Sequence, residues 1–299
     1  MARPNCFIVG APKCGTTAWV EYLGSHPAIH FSPRKEPHYH ATDLPGFRWV
    51  TDEAAYERLF DGAGDARIVA EASVQYLHSH EAAANIASYA PDARIIAFLR
   101  DRAAFLPSYH NQLVVNLDED EADFERVWRA SLSGERELPE TCREPRLLDY
   151  PAVGAFAAQI ERYLEAFPSN RVMVVRFEEW VRDPRATYLA LLAFLGVDDD
   201  GRNEFQPVHG AKHNRSHQVA RLTQRPPAWA LAGARTLRRL LGRERLGVAG
   251  TLRRVNRAAG YGASVSPELK EEIRRYYEAD DARLERLLER TVRVDAAAS

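Results

Sequence analysis

The chain has 299 residues, with 40 Lys and Arg against 42 Asp and Glu, a formal net charge of −2 at pH 7. Hydrophobic residues at 45% and charged residues at 27% match a soluble globular protein and exclude a disordered chain. The near-neutral balance offers no overall basic field for nucleic acid. No apolar run reaches the roughly 18 residues needed to cross a bilayer. The short N-terminal apolar stretch is cut by Pro12 and Lys13, unlike a signal peptide. Three cysteines (Cys6, Cys14, Cys142) form no C-x-x-C pair, which predicts reduced thiols and a cytoplasmic protein.

In chain order, Asn5 to Gly10 is a short apolar run ended by glycine, predicting a buried strand. A loop from Ala11 to Gly15 leads to a short helix over Thr16 to Gly24. Ala28 to Phe31 reads as a second strand, followed by a proline- and histidine-containing loop from Ser32 to Gly46. Arg67 to Glu71 and Arg94 to Leu99 are further strands, with a helix over Ser79 to Tyr89 between them. Helices are predicted at Ala103 to Val115, Ala122 to Leu132 and Ala152 to Phe167. A fifth strand follows at Arg171 to Arg176, then a helix at Pro184 to Leu195 with proline in its first turn. Buried strands alternating with helices predict an α/β, three-layer, P-loop-like fold: a central, mostly parallel sheet of about five strands, flanked by helices.

Open parallel sheets bind ligands beyond the carboxyl ends of their strands. Those ends lead to Lys13, Glu36, Glu71 and Arg100, two cations and two carboxylates facing one crevice, which suits an anionic donor opposite a base. The loop Gly10-Ala-Pro-Lys-Cys-Gly-Thr-Thr17 aims backbone N–H groups and a helix N-terminus at a phosphate. Its glycines have the spacing of a nucleotide-triphosphate loop, but Thr16 stands where that loop has lysine, and the lysine has moved to position 13. From there it reaches the bridging oxygen of a phosphate anhydride better than a γ-phosphate. The fourth strand ends Phe98-Leu99-Arg100, without the aspartate that holds magnesium in an ordinary ATPase.

The segment from Phe7 to Thr17 resembles the 5′-phosphosulfate loop of sulfotransferases that use 3′-phosphoadenosine-5′-phosphosulfate. Ile95 to Ser108 is similar to their 3′-phosphate motif, with Arg100 closing the strand and Ser108 eight residues later. Lys35-Glu-Pro-His-Tyr39 resembles a stretch of the bacterial and heparan-sulfate-type branch whose glutamate serves as base. Glu71-Ala-Ser-Val-Gln-Tyr76 matches a Glu-Lys-Ser-Pro-x-Tyr stretch, with Ala72 and Val74 replacing the lysine and proline. Ala103 replaces the proline that follows the Arg-Asp pair. Residues 209–216 match the C-terminal donor loop loosely, which marks Lys212, Asn214 and Arg215 as candidates.

The resemblance implies one domain over residues 1–299. It has a core at 1–200, a donor loop at about 205–217, a basic helical segment at about 218–262 and a C-terminal helix at about 265–290. It implies that Pro12, Lys13, Cys14, Gly15, Thr16 and Thr17 surround the donor's 5′-phosphate, with Lys13 neutralising charge on the leaving phosphate. Arg100 offers a bidentate fork to the 3′-phosphate beside Ser108. Glu36, stiffened by Pro33 and Pro37, is the candidate base, and His38 is its rival. Glu71 and Tyr76 either line the acceptor side or pack in the core. Cys14 has no assignable histidine partner and reads as loop wall. No carboxylate at ligand spacing joins His38 and His40, so no metal is expected. Residues 226–257 are arginine-rich, and Pro226 to Arg243 reads as an amphipathic helix that is either a solvated basic face or a dock for an acidic partner. Three functions fit: a sulfotransferase acting on a small-molecule, lipid or sugar acceptor, a P-loop kinase, and a non-catalytic nucleotide-binding module.

Overall fold

The computed structural model describes residues 2–206, 212–214, 257–259 and 265–292. Five parallel strands form the central sheet: β1 (Cys6–Gly10), β2 (Ile29–Phe31), β3 (Ile68–Ala72), β4 (Arg94–Leu99) and β5 (Val172–Arg176), in the order β2-β3-β1-β4-β5. Every residue of β1 and β3 is buried, as are all of β4 beyond Arg94. Side chains alternate between the faces of a strand, so full burial means that both faces are covered. The helices that do this include α1 (Thr16–Gly24), whose Trp19 stacks on Phe98 of β4 at 5.7 Å between ring centroids.

A short α2 (Glu53–Glu57) precedes β3, and α3 (Ala82–Tyr89) follows it. The predicted start at Ser79 moves to Ala82, with the Ser79 hydroxyl accepting the Ala82 N–H at 3.0 Å. The helix expected over 152–167 is two, α6 (Tyr150–Gly154) and α7 (Phe156–Ala166), broken where Ala155 leaves helical geometry at ψ 68°. Helices α8 (Phe177–Arg182) and α9 (Pro184–Leu195) follow β5. The single C-terminal helix expected is also two, α10 (Pro267–Tyr276) and α11 (Glu278–Leu288), meeting at Tyr277.

In sequence, α4 (Arg102–Asn116) and α5 (Phe124–Ser133) come between β4 and α6, and an antiparallel pair, β6 (Lys212–Asn214) with β7 (Arg257–Ala259), comes between α9 and α10. The chain forms two compact units. One comprises residues up to 106, 143–209 and 266–299, the other residues 107–142 and 210–265. The first unit holds the sheet. In it the C-terminal segment returns to β5, where the Val292 N–H donates to Val172 O at 3.1 Å. Arg102, only 5% exposed, is clasped by Asp280 and Asp281 and donates to Gly154 O at 2.8 Å. In the second unit, Asp123 caps α5 and the buried Glu119 pairs with Arg136. Among the described residues no helix is long and apolar enough to cross a membrane. The basic helix expected at Pro226 to Arg243 lies outside the described residues.

Candidate functional site

The strand order places β1 between β3 and β4, so the chain's direction of travel across the sheet reverses there. An open α/β sheet leaves its ligand crevice at that reversal, beyond the carboxyl ends of the strands. The 11–15 loop emerges at this point, pinned to the neighbouring strand by Ala11 N–H donating to Phe98 O at 2.6 Å. Two residues give the loop its shape through left-handed backbone, Lys13 at φ 63° and Gly15 at φ 84°. Gly15 begins α1 with no side-chain cap, so no cap side chain satisfies the first helical N–H groups, the arrangement that suits an anion at a helix N-terminus. A Cβ on Gly15 would lie 2.4 Å from Trp180 Cζ2, so glycine is required by contact as well as by conformation. Thr16 and Cys14 are buried in the loop wall. A helix N-terminus lowers a thiol pKa, yet burial wins at Cys14 and drives it well upward, against the pull of Arg100 and Lys13.

Arg100 follows β4. Its guanidinium lies over the Phe177 ring at 4.3 Å, and its Nε is buried with no hydrogen-bond partner among the described residues. The neighbouring Asp101 instead pairs with Arg274, at 3.3 Å. A stacked guanidinium with an unmet donor beside a phosphate-shaped loop fits an anionic group such as the 3′-phosphate of an adenosine donor. Ser108 lies on α4 in the second unit. Lys212 and Asn214 fall on β6, and Arg215 lies outside the described residues.

Glu36 sits on the loop after β2, with its side chain 38% exposed. Lys35 joins the two halves of the site. Its Nζ donates to Thr17 Oγ1 at 2.5 Å and lies 3.5 Å from Glu36 Oε1. His38 Nε2 is 3.9 Å from Glu36 Oε2, but the imidazole is 1% exposed and its pKa is pushed down to about 3, by burial first and then by Lys35 and Arg143. A sealed, neutral imidazole of such low basicity is a poor proton acceptor near pH 7. His40 is likewise buried and lowered to about 3. Among the described residues no group of three His, Cys, Asp or Glu side chains is placed to hold a metal ion.

The model of a sulfotransferase domain matches residues 3–213. The chain belongs to the sulfotransferase family. The match begins before β1 and continues past α9, taking in the phosphate loop, the Glu36 loop and Arg100. Human heparan sulfate glucosamine 3-O-sulfotransferase 3B1 is 27% identical over 199 residues, 65% of this chain and 46% of that protein. Human bifunctional heparan sulfate N-deacetylase/N-sulfotransferase 3 is 27% identical over 209 residues, 65% of this chain and 22% of that protein. The chain therefore spans less than half the length of these curated relatives. The crystal structure of a sulfotransferase from Alicyclobacillus acidocaldarius matches over 100% of both chains at 29% identity and a TM-score of 0.69.

Glu71 and Tyr76, candidates for the acceptor side of this sulfotransferase, have no exposed surface. Their side chains hydrogen-bond at 3.0 Å inside the core. The strand explains the difference. It extends to Ala72, one residue further than expected, which puts Glu71 within β3 rather than at the rim. Three residues that touch the candidate site carry no assignment from the sequence. Lys35 was visible only as part of a motif, because its bridge to Thr17 exists only in space. Phe177 and Trp180 follow β5, and the strand-end rule, carried to the fifth strand, points to them.

Proposed function

We propose that this sulfotransferase moves a sulfuryl group from 3′-phosphoadenosine-5′-phosphosulfate to a hydroxyl, or an amine, of a carbohydrate acceptor. The observation that carries this reading is Arg100, a half-buried guanidinium with an unmet donor next to an uncapped helix N-terminus. Two anion sites at adjacent strand ends suit one donor with phosphates at both ends of its ribose. Bound there, that donor supplies a sulfuryl group on a phosphate anhydride, displaced in line through a loose transition state comparable to that of phosphoryl transfer. The N–H groups of Gly15, Thr16 and Thr17 hold the 5′-phosphate, and Lys13 offsets the negative charge that grows on it. Glu36 takes the acceptor proton at its carboxylate, and Lys35 keeps that carboxylate beside the donor loop. His38, being sealed and weakly basic, packs against the loop and leaves the proton to Glu36.

A sugar acceptor is supported by the names of the relatives and by the surface near Glu36. Trp49 is 58% exposed and its main-chain N–H donates to Pro37 O at 3.1 Å, while Arg34 lies 5.7 Å from its ring centroid. Arg143 covers Phe47 at 4.2 Å. Aromatic faces flanked by guanidinium groups suit a sugar ring carrying acidic substituents. Buried free thiols at Cys6 and Cys14 support a reducing, cytoplasmic setting.

Calorimetric titration with 3′,5′-adenosine bisphosphate and with MgATP tests the donor. The bisphosphate binds without magnesium, and Arg100→Ala weakens it by about 1.5–3 kcal/mol, the worth of a hydrogen bond to a charged group. Binding of MgATP alone, or an Arg100→Ala variant of unchanged affinity, overturns the reading.

A further inference from the structure

The loop that carries Glu36 has an uncommon backbone. Glu36 at φ 61° and His38 at φ 51° are both left-handed, one on each side of Pro37. Each such residue with a side chain is strained by roughly 1–2 kcal/mol, so the pose persists only where its surroundings over-determine it. Three main-chain N–H groups are held. Glu36 N–H donates to Ala72 O at 2.9 Å, His38 N–H to Ser73 Oγ at 3.1 Å, and His40 N–H to Tyr76 OH at 3.1 Å. The last two acceptors are hydroxyls, and each in turn donates to Glu71. Ser73 Oγ donates to Oε1, while Tyr76 OH donates to Oε2 at 3.0 Å, where Tyr56 OH also donates at 2.7 Å.

A hydroxyl has one proton and two lone pairs. When its proton is committed to the Glu71 carboxylate, its oxygen is left to accept, which is what the His38 and His40 amides require. The buried carboxylate thus sets the direction of both relays. We propose that Glu71 is a positioning residue for Glu36, acting through the Ser73 and Tyr76 hydroxyls to fix the loop that aims the base. The proposal rests on Glu36 being the base. Burial drives the Glu71 pKa up to about 7, with the three hydroxyl donors pulling the other way. Tyr163 OH donates to Tyr76 O at 2.9 Å and secures the second relay from α7.

The test uses Ser73→Ala and Tyr76→Phe, each of which removes one hydroxyl and keeps the packing shape, with Glu71→Gln as a third variant. Amide hydrogen exchange by NMR should rise roughly 2- to 12-fold at His38 in Ser73→Ala and at His40 in Tyr76→Phe, the loss of one neutral hydrogen bond. The Leu77 N–H, bonded to Val9 O, serves as an unmoved control. Turnover is measured with 3′-phosphoadenosine-5′-phosphosulfate and desulfated heparan sulfate, and bisphosphate affinity is measured alongside. Turnover should fall by a similar factor at unchanged bisphosphate affinity, and neither variant should lose anything further in a Glu36→Gln background. Unchanged exchange at both amides, an equal turnover loss in the Glu36→Gln background, or a loss that follows bisphosphate affinity overturns the proposal. If the wild-type chain transfers nothing, the functional reading fails instead, and amide exchange still decides whether the network fixes the loop.

Discussion

Replacing Gly15 with alanine tests how the 11–15 loop is built. The substitution places a methyl group at φ 84°, where a side chain costs roughly 1–2 kcal/mol. The new Cβ would also stand 2.4 Å from Trp180 Cζ2 and 3.1 Å from Cε2. The indole has little room to retreat, because it packs edge-on against Trp19 at 5.8 Å and Phe177 at 5.0 Å. Overpacking of this kind costs about 1–3 kcal/mol, so Gly15→Ala should destabilise the protein by roughly 2–5 kcal/mol in all. Urea unfolding of four proteins resolves the two terms: wild type, Gly15→Ala, Trp180→Leu and the double variant. In the Trp180→Leu background the steric term should vanish, leaving the conformational term of about 1–2 kcal/mol. Bisphosphate affinity should fall in Gly15→Ala as the helix N-terminus is displaced. A loss under about 1 kcal/mol, or one that is the same with and without the indole, refutes the packing argument.

Glu36→Gln should lower turnover by about 10²–10⁴-fold, the usual worth of a positioned base, at unchanged bisphosphate affinity. His38→Asn should leave most of that turnover, and the reverse pattern in steady-state kinetics moves the base to His38. Native labelling with a thiol reagent should modify Cys142 readily and leave Cys6 and Cys14 untouched until the protein unfolds. Both are buried, and burial drives both thiols upward, Cys6 to about 12; rapid mass-detected labelling of Cys14 contradicts this. Arg102→Ala should destabilise the fold by about 1.5–3 kcal/mol, because Asp280 and Gly154 O lose their donor while the half-exposed Asp281 regains water. A change below about 1 kcal/mol in urea unfolding would show the clasp to be dispensable.

The sheet was legible because a strand covered on both faces reads as an unbroken apolar run, and each of the five runs ended within a residue or two of the observed strand. The strand-end rule assigns Lys13, Glu36 and Arg100 to the carboxyl edge of the sheet from the sequence alone. What it could not judge was depth. Glu71 and Cys14 have the sequence neighbours of site residues, yet a one-residue extension of β3 buries the first, and the loop wall closes over the second. Helix breaks were hidden for a related reason. Gly154 ends α6 where Tyr277 from the C-terminal segment presses in, with its hydroxyl 2.3 Å from where a Cβ would stand. That residue is more than a hundred positions away in sequence, and no local propensity reports it.

The closing segment of the chain also bears on how the protein can be handled. Glu285 of α11 holds Arg176 at the end of β5, immediately before the Phe177 that underlies Arg100, and Val292 bonds to the opposite end of the same strand. Shortening the chain before α10 would therefore strip support from the Phe177 ring on which Arg100 rests. For expression trials, residues up to Val292 belong with the folded enzyme, and affinity tags are better attached beyond them.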